Sequence, residues 1–200
     1  MIKVISIDDH EIISSGLEKL FSSTKDIIHS GYCKTKSELE NLINSKYVDD
    51  VNNLVALVDI KLENESGFDC ADYLVSRGIK CLMYSSYSNA GFIVKTMEHK
   101  INGFISKNAD KREIITSVRS VFNGETYIQK DLITTMMYAS SIIVTLTKKE
   151  RELINLISEH LSNEEIAHKL NLSKRTVENY ISRIFDKFNV KNRYELEKLL

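Results

Sequence analysis

Five short runs of apolar, largely β-branched residues recur within the first 124 positions, and the stretches between them carry apolar residues at helical spacing. The runs are Lys3 to Ile7, Asp26 to Tyr32, Leu54 to Asp59, Ile79 to Ser85 and Gly103 to Lys107. The helical stretches are marked by Ile12, Ile13, Leu17, Leu20 and Phe21, then by Leu39, Leu42 and Ile43. Phe68, Ala71, Tyr73, Leu74 and Val75 mark the third, Phe92, Ile93 and Met97 the fourth, and Ile114, Ile115, Val118, Val121 and Phe122 the fifth. Short apolar runs separated by amphipathic helices predict an α/β fold, a five-stranded parallel doubly wound sheet with helices on both faces. The three middle runs are almost wholly apolar, as strands covered on both faces must be.

The pattern ends at Asn123-Gly124, which breaks the last helical run. Residues 125–144 show no clear amphipathic period and read as a linker. Met136, Met137, Tyr138, Ile142 and Ile143 are poorly suited to full exposure, which leaves room for a partly helical segment packed on one of the domains. A different pattern starts at Leu146. Thr147 and Glu150 form a capping box, as do Ser162 and Glu165, each a hydroxyl at a helix start with an acid three residues on. The first box opens a helix with Leu153, Leu156, Ile157 and Leu161, and the second a short helix with Ile166, Ala167 and Leu170. After the tight turn Asn171-Leu172-Ser173 a longer helix carries Val177, Ile181, Ile184, Phe185 and Phe188, and a last one spans about Asn192 to Leu199. This is a small all-α domain on the helix-turn-helix plan. The expected division is therefore 1–124, a linker at 125–144, and 145–200.

Composition excludes several classes. No apolar run approaches the roughly 20 residues of a membrane span, and MIKVISIDDHE has no apolar core before its first acids, so a secretory signal is not expected. A cytoplasmic protein without a membrane partner is expected. Cys33, Cys70 and Cys81 are dispersed, with no metal or disulfide spacing, and read as buried reduced thiols. The net charge of −1 divides unevenly: residues 1–124 carry 15 Lys/Arg and 17 Asp/Glu, residues 145–200 carry 11 and 9. The sign suits nucleic acid at the C-terminal end, but the size of the shift does not argue for it alone.

Asp8 and Asp9 follow the first run and Asp59 ends the third. If those strands are neighbours, the three carboxylates share one cleft at the carboxyl end of the sheet. Like charges so placed call for a cation, and hard oxygen ligands suit Mg²⁺. A carboxylate beside Mg²⁺ is a competent nucleophile toward a phosphoryl group. Ser85 and Lys107, at the ends of the fourth and fifth runs, offer a hydroxyl and an ammonium to its oxygens. Each residue alone has an ordinary explanation as a helix cap, a surface charge or a core aromatic. The signal is their joint placement. His10 reads as a residue at the start of the first helix rather than a ligand.

At this point VISIDDHEIISSGLEKLF and LVALVDIKLENESGFD resemble the receiver domains of NarL/FixJ-type response regulators, which are flavodoxin-like, with Gly67 eight residues after Asp59 as in that family. The resemblance implies that Asp59 is the phosphoacceptor and that Asp8, Asp9, Asp59 and the carbonyl of Lys61 hold Mg²⁺. It further implies that Ser85 is the switch hydroxyl and Phe104 the aromatic switch. Glu63 stands where the family usually has Pro, and Phe104 where Tyr is more common.

The segment from Leu146 to Leu196, with LT-x-x-E, SNEEIA, LS-x-x-TV and V-x-x-R-x-E-L, resembles the LuxR-type helix-turn-helix. The Val177, Ile181, Ile184 and Phe185 stripe should face the core. Lys174, Arg175, Glu178, Asn179, Ser182 and Arg183 should face outward, where a recognition helix meets the major groove. By side-chain chemistry Asn179 suits adenine, Arg183 guanine or phosphate, and Glu178 cytosine. Thr176, Tyr180, Lys187 and Arg193 suit phosphate. Glu178 stands where relatives often have a base, which points to dependence on dimerisation or on particular sequences. Tyr194, Leu196 and Leu199 suit either a dimer contact or the domain's own core.

The expected function is thus a DNA-binding response regulator, not an enzyme, in which a histidine kinase phosphorylates Asp59 and so favours a homodimer on promoter DNA. The alternative is a phosphorylation-independent DNA-binding regulator with the receiver as an interaction module. An Asp-nucleophile phosphatase is disfavoured, because such enzymes place D-x-D after the first strand and this chain has Asp8-Asp9.

Overall fold

A computed structural model describes residues 1–86 and 90–199, in two compact units. Among the described residues of the first unit, β1 (Ile2–Ile7), β2 (Ile27–Cys33), β3 (Leu54–Val58), β4 (Lys80–Ser85), β5 (Gly103–Ser106) and β6 (Tyr127–Ile128) form one sheet in the order β2-β1-β3-β4-β5-β6. Every pairing is parallel. Helices α1 (Glu11–Phe21), α2 (Lys36–Leu42), α3 (Gly67–Ser76), α4 (Ala90–Glu98) and α5 (Lys111–Phe122) lie between the strands in sequence. The α/β class, the parallel sheet and the order of elements are as the sequence indicates.

The strand count is not. Six strands are present rather than five, because residues 125–144 are not featureless: they hold β6 and a fourteen-residue helix, α6 (Lys130–Ile143). The sixth strand has only two residues, too few for any periodicity. It is drawn in by Gly103, where an added Cβ would lie 2.0 Å from the Tyr127 carbonyl oxygen. Tyr127 and Gln129 donate their amides to Asn102 and Phe104, and Gln129 Oε1 accepts the Ser106 amide at 2.9 Å.

β3 is buried at every position, as its unbroken apolar run requires. On one face of the sheet, Val4, Val55, Leu57 and Leu82 pack with Leu17 and Phe21 of α1 and with Val118 and Val121 of α5. Helix starts are locally encoded: the side chains of Thr35, Ser66 and Asp110 accept backbone amides at the head of α2, α3 and α5. The π turn at Ile43–Tyr47 after α2 carried no sign in the sequence.

The second unit packs α7 (Lys148–Ser158), α8 (Asn163–Leu170), α9 (Lys174–Phe188) and α10 (Arg193–Leu199) around Leu153, Ile157, Ile166, Val177, Ile184, Phe188 and Leu196. Burying each such side chain contributes about 1.5–3 kcal/mol. Both capping boxes are formed. The turn between α8 and α9 depends on Asn171 in the left-handed region (φ 53°), and α9 ends the same way at Asn189 (φ 51°). Asparagine tolerates that region better than most side chains, and this chain uses it where glycine is common. Among the described residues no helix is long and apolar enough to cross a membrane.

Candidate functional site: an acidic pocket and an exposed recognition helix

β1 and β3 are adjacent, so their carboxyl ends open together where the strand order reverses. The Asp8 amide donates to the Cys33 carbonyl and the Asp59 amide to the Ile7 carbonyl, which extends the sheet to both acids. Asp8 and Asp59 are 1% and 6% exposed. Buried carboxylates require partners. Lys107, directly after β5, places its Nζ 2.6 Å from Asp8 Oδ2 and donates to Asp59 Oδ2 at 2.7 Å. Ser85, the last residue of β4, donates its hydroxyl to Asp59 Oδ1 at 2.5 Å, and the Ile60 amide donates to the same oxygen at 2.7 Å. The ends of β4 and β5 are themselves joined, Lys107 N–H to Ser85 O at 2.9 Å.

Burial alone would lower the Lys107 pKa. Its hydrogen bonds to Asp59 and Asp8, with their charges, outweigh that and hold the ammonium above its ordinary value. It is therefore a fixed cation beside Asp59.

The backbone is built as closely. Gly67 opens α3 and donates its amide to the Ile60 carbonyl at 2.8 Å. A Cβ at Gly67 would lie 1.6 Å from the Asp59 carbonyl oxygen, so only glycine fits. The intervening loop is closed without proline: Lys61 pairs antiparallel with Ser66, and Leu62 N–H donates to Glu65 O at 3.2 Å. Glu65 in turn accepts the Lys36 amide at 2.7 Å, and Glu63 points to solvent. The Pro-to-Glu63 departure thus leaves the turn intact. Phe104 is fully buried, between β4 and β6 partners.

Asp8, Asp9 and His10 offer ligand atoms all within 4.8 Å of one another. His10 is the residue that sequence reasoning set aside. Its amide donates to Asp8 Oδ1 at 3.0 Å, which fits its place at the start of α1, and its Nδ1 lies 2.6 Å from Asp9 Oδ1. Only this local backbone turn brings the ring back over the acids, and residue spacing carries no sign of it. Two carboxylate oxygens are shut off from solvent here, Asp8 Oδ2 met by the Lys107 ammonium and Asp9 Oδ1 by the His10 ring, each at 2.6 Å. Asp8 and Asp59 share the single ammonium of Lys107 and Asp9 stands beside Asp8, so negative charge exceeds the fixed positive charge, a donor set that suits a hard divalent cation such as Mg²⁺.

In the second unit, Val177, Ile181 and Ile184 of α9 face the core and Phe185 is partly buried against it. Lys174, Arg175, Glu178, Asn179, Ser182 and Arg183 are exposed. Thr176 is half-buried, and its hydroxyl is 2.8 Å from that of Ser173. Tyr180 is half-buried against the core, with the Arg183 guanidinium 5.9 Å from its ring. Lys187 and Arg193 depart from expectation. Lys187 Nζ donates to Glu150 Oε2 at 2.7 Å and to the Thr145 carbonyl at 3.0 Å. Arg193 donates to the Leu161 carbonyl, to Asn163 Oδ1 and to Glu197 Oε1, fastening α10 to the corner between α7 and α8. Both cations are engaged inside their own unit, each with its side chain 30% exposed. Of the residues with two expected uses, Leu196 closes the core and Tyr194 is exposed, while the Leu199 side chain lies outside the described residues.

Residues 4–119 match the family described as response regulator receiver domain, and residues 144–199 match the bacterial regulatory proteins of the luxR family. The transcriptional regulatory protein DesR of Bacillus subtilis is 28% identical over 141 residues, covering 70% of this chain and 69% of that protein. The response regulator UvrY of Escherichia coli is 26% identical over 208 residues, covering 100% and 93%. Among solved structures, RcsB from Salmonella enterica serovar Typhimurium, bound to a promoter in the presence of a phosphomimetic, superposes with a TM-score of 0.70 at 20% identity. That match covers 99% of this chain and 97% of that one, and it speaks for the fold.

Proposed function

The chain belongs to the response regulators that join a receiver domain to a LuxR-type DNA-binding domain, and from that membership we infer that phosphorylation of Asp59 by a histidine kinase controls its binding to promoter DNA. The observation that carries this reading is the bracketing of Asp59: Ser85 on one carboxylate oxygen, Lys107 on the other. Those two donors can follow the oxygens of a phosphoryl group once it replaces the free carboxylate as acceptor.

In the transfer, an Asp59 carboxylate oxygen attacks phosphorus, the bond from phosphorus to the donor breaks, and the donor leaves with its electron pair. Asp8, Asp9 and Asp59, with the Lys61 carbonyl, are the groups that would hold Mg²⁺. Bound there, Mg²⁺ supplies charge neutralisation to the phosphoryl oxygens. Lys107 stays protonated and holds the acyl phosphate by charge. Ser85 moves from Asp59 Oδ1 toward a phosphoryl oxygen, and Phe104, in the neighbouring strand, exchanges rotamers with it. The two arrangements are states in equilibrium, and the phosphoryl group shifts their populations.

We assign residues 1–124 to the receiver and 145–200 to DNA binding, with β6 and α6 inside the connecting 125–144. Lys174, Arg175, Thr176, Glu178, Asn179, Tyr180, Ser182 and Arg183 are the residues offered to double-stranded DNA, and two copies read a site together. The role is regulatory rather than enzymatic turnover, and its place is the cytoplasm, where kinase and DNA meet. The phosphorylation-independent reading rests on Glu63; the turn there closes without proline, which speaks against a lost turn, while the added negative charge remains for the experiment to weigh. The test is DNA binding and oligomeric state with and without a phosphodonor, in wild type and Asp59→Asn. A response confined to the wild type supports gating, and equal behaviour of the two overturns it.

A further inference from the structure

Lys174 is the first residue of α9 and Glu164 the second of α8, and the Lys174 ammonium donates to Glu164 Oε1 at 2.6 Å. The two side chains are 53% and 73% exposed, so the pair adds little to the fold. Neither helix start needs it. Glu165 completes the capping box of α8, and Ser173 accepts the Thr176 amide at the head of α9.

The pair does stand where DNA must arrive. In helix-turn-helix docking the first helix crosses the phosphate backbone and the head of the second enters the major groove. A Glu164 carboxylate and a DNA phosphate are acceptors of the same kind for one ammonium. Lys174 is also faced by Glu178, one turn along α9, which deepens the negative surroundings. α9 exposes Lys174, Arg175 and Arg183, and of these Lys174 is held by Glu164.

We propose that Glu164 is a built-in competitor of DNA phosphate for Lys174, which lowers affinity for DNA of any sequence and leaves recognition to base contacts and to paired copies. The proposal rests on the DNA-binding reading above. Freed from Glu164, Lys174 takes a phosphate and displaces one more counterion, which appears as a steeper dependence of affinity on salt.

The experiment is fluorescence anisotropy of a labelled random-sequence duplex against the full chain over a series of NaCl concentrations. It compares wild type, Glu164→Gln, Lys174→Gln and the double variant, with each protein's fold checked by circular dichroism. The expected result is several-fold tighter binding by Glu164→Gln at low salt and a log–log salt slope steeper by about 0.9. In the Lys174→Gln background the same change should leave the slope as it was. An unchanged slope in Glu164→Gln overturns the proposal. Equal tightening with and without Lys174 also overturns it, since that is a through-space effect of charge. Absence of binding by all four proteins at the lowest salt also overturns the proposal, since Lys174 then makes no phosphate contact for Glu164 to compete with, and leaves the DNA-binding reading to the phosphodonor experiment above.

Discussion

The α-carbon of Gly67 lies against the carbonyl of Asp59, so closely that a β-carbon at Gly67 would sit 1.6 Å from the Asp59 oxygen. The start of α3 and the backbone of Asp59, the proposed phosphoacceptor, are therefore one packed unit, and a change at position 67 acts on position 59.

Gly67→Ala is expected to push Asp59 out of register with Ser85 and Lys107. Overpacking of this kind costs about 1–3 kcal/mol. Both the thermal midpoint and the rate of phosphoryl uptake should fall. Gly16, within α1, is the control: nothing lies within 4 Å of an added Cβ there. Gly16→Ala should stabilise by about 0.5–1 kcal/mol and leave uptake unchanged.

Ser85→Ala removes the 2.5 Å hydrogen bond to Asp59 Oδ1 but neither the carboxylate nor Lys107. Phosphoryl uptake is expected to persist while the phosphodonor-dependent change in oligomeric state is lost. Size-exclusion chromatography beside intact-mass measurement separates the two effects, and loss of both together would count against a switching role for Ser85.

Gly103→Ala should detach β6, because its Cβ would meet the Tyr127 carbonyl at 2.0 Å. Hydrogen exchange at Tyr127 and Gln129, whose amides bond to Asn102 and Phe104, should accelerate while β1 and β3 stay protected. Unaltered protection would mean that the sixth strand does not depend on this close approach.

Glu150 is 3% exposed. Burial pushes its pKa up, but the Lys187 ammonium and the Thr147 amide and hydroxyl outweigh that and hold it below its ordinary 4.5. A depressed carboxylate pKa stabilises the fold above the unfolded value, and the contribution fades as pH falls through the folded value. Urea unfolding of Glu150→Gln should therefore show a deficit against wild type at pH 7 that shrinks below about pH 4.5. A deficit independent of pH would assign the loss to packing instead.

How much of this was legible in the sequence depends on the range of the interaction. The inner strands were readable because apolar runs such as that of β3 report burial on both faces, whereas β2, at the sheet edge, is mostly only half-buried. The helix starts at Thr147 and Ser162 were readable because a capping box is complete within four residues. Gly67, eight residues from Asp59, was visible as a spacing, but its steric reason needed the folded backbone. β6 was invisible, since Tyr127–Ile128 carries no period and its cause, Gly103, lies in another strand. Lys187 and Arg193 were read as outward cations because their partners Glu150 and Leu161 lie 37 and 32 residues away, beyond any local pattern. His10 stands at the start of α1, as its place before the helical run indicates, and its approach to Asp9 comes from a turn that residue spacing does not report.

Everything above turns on Asp59 as the residue that receives the phosphoryl group. The most direct test of that role is the intact mass of the purified chain after incubation with Mg²⁺ and acetyl phosphate, with Asp59→Asn alongside. A single phosphoryl adduct is expected on the wild type and none on Asp59→Asn. No adduct on the wild type, or an adduct that survives the substitution, would contradict it.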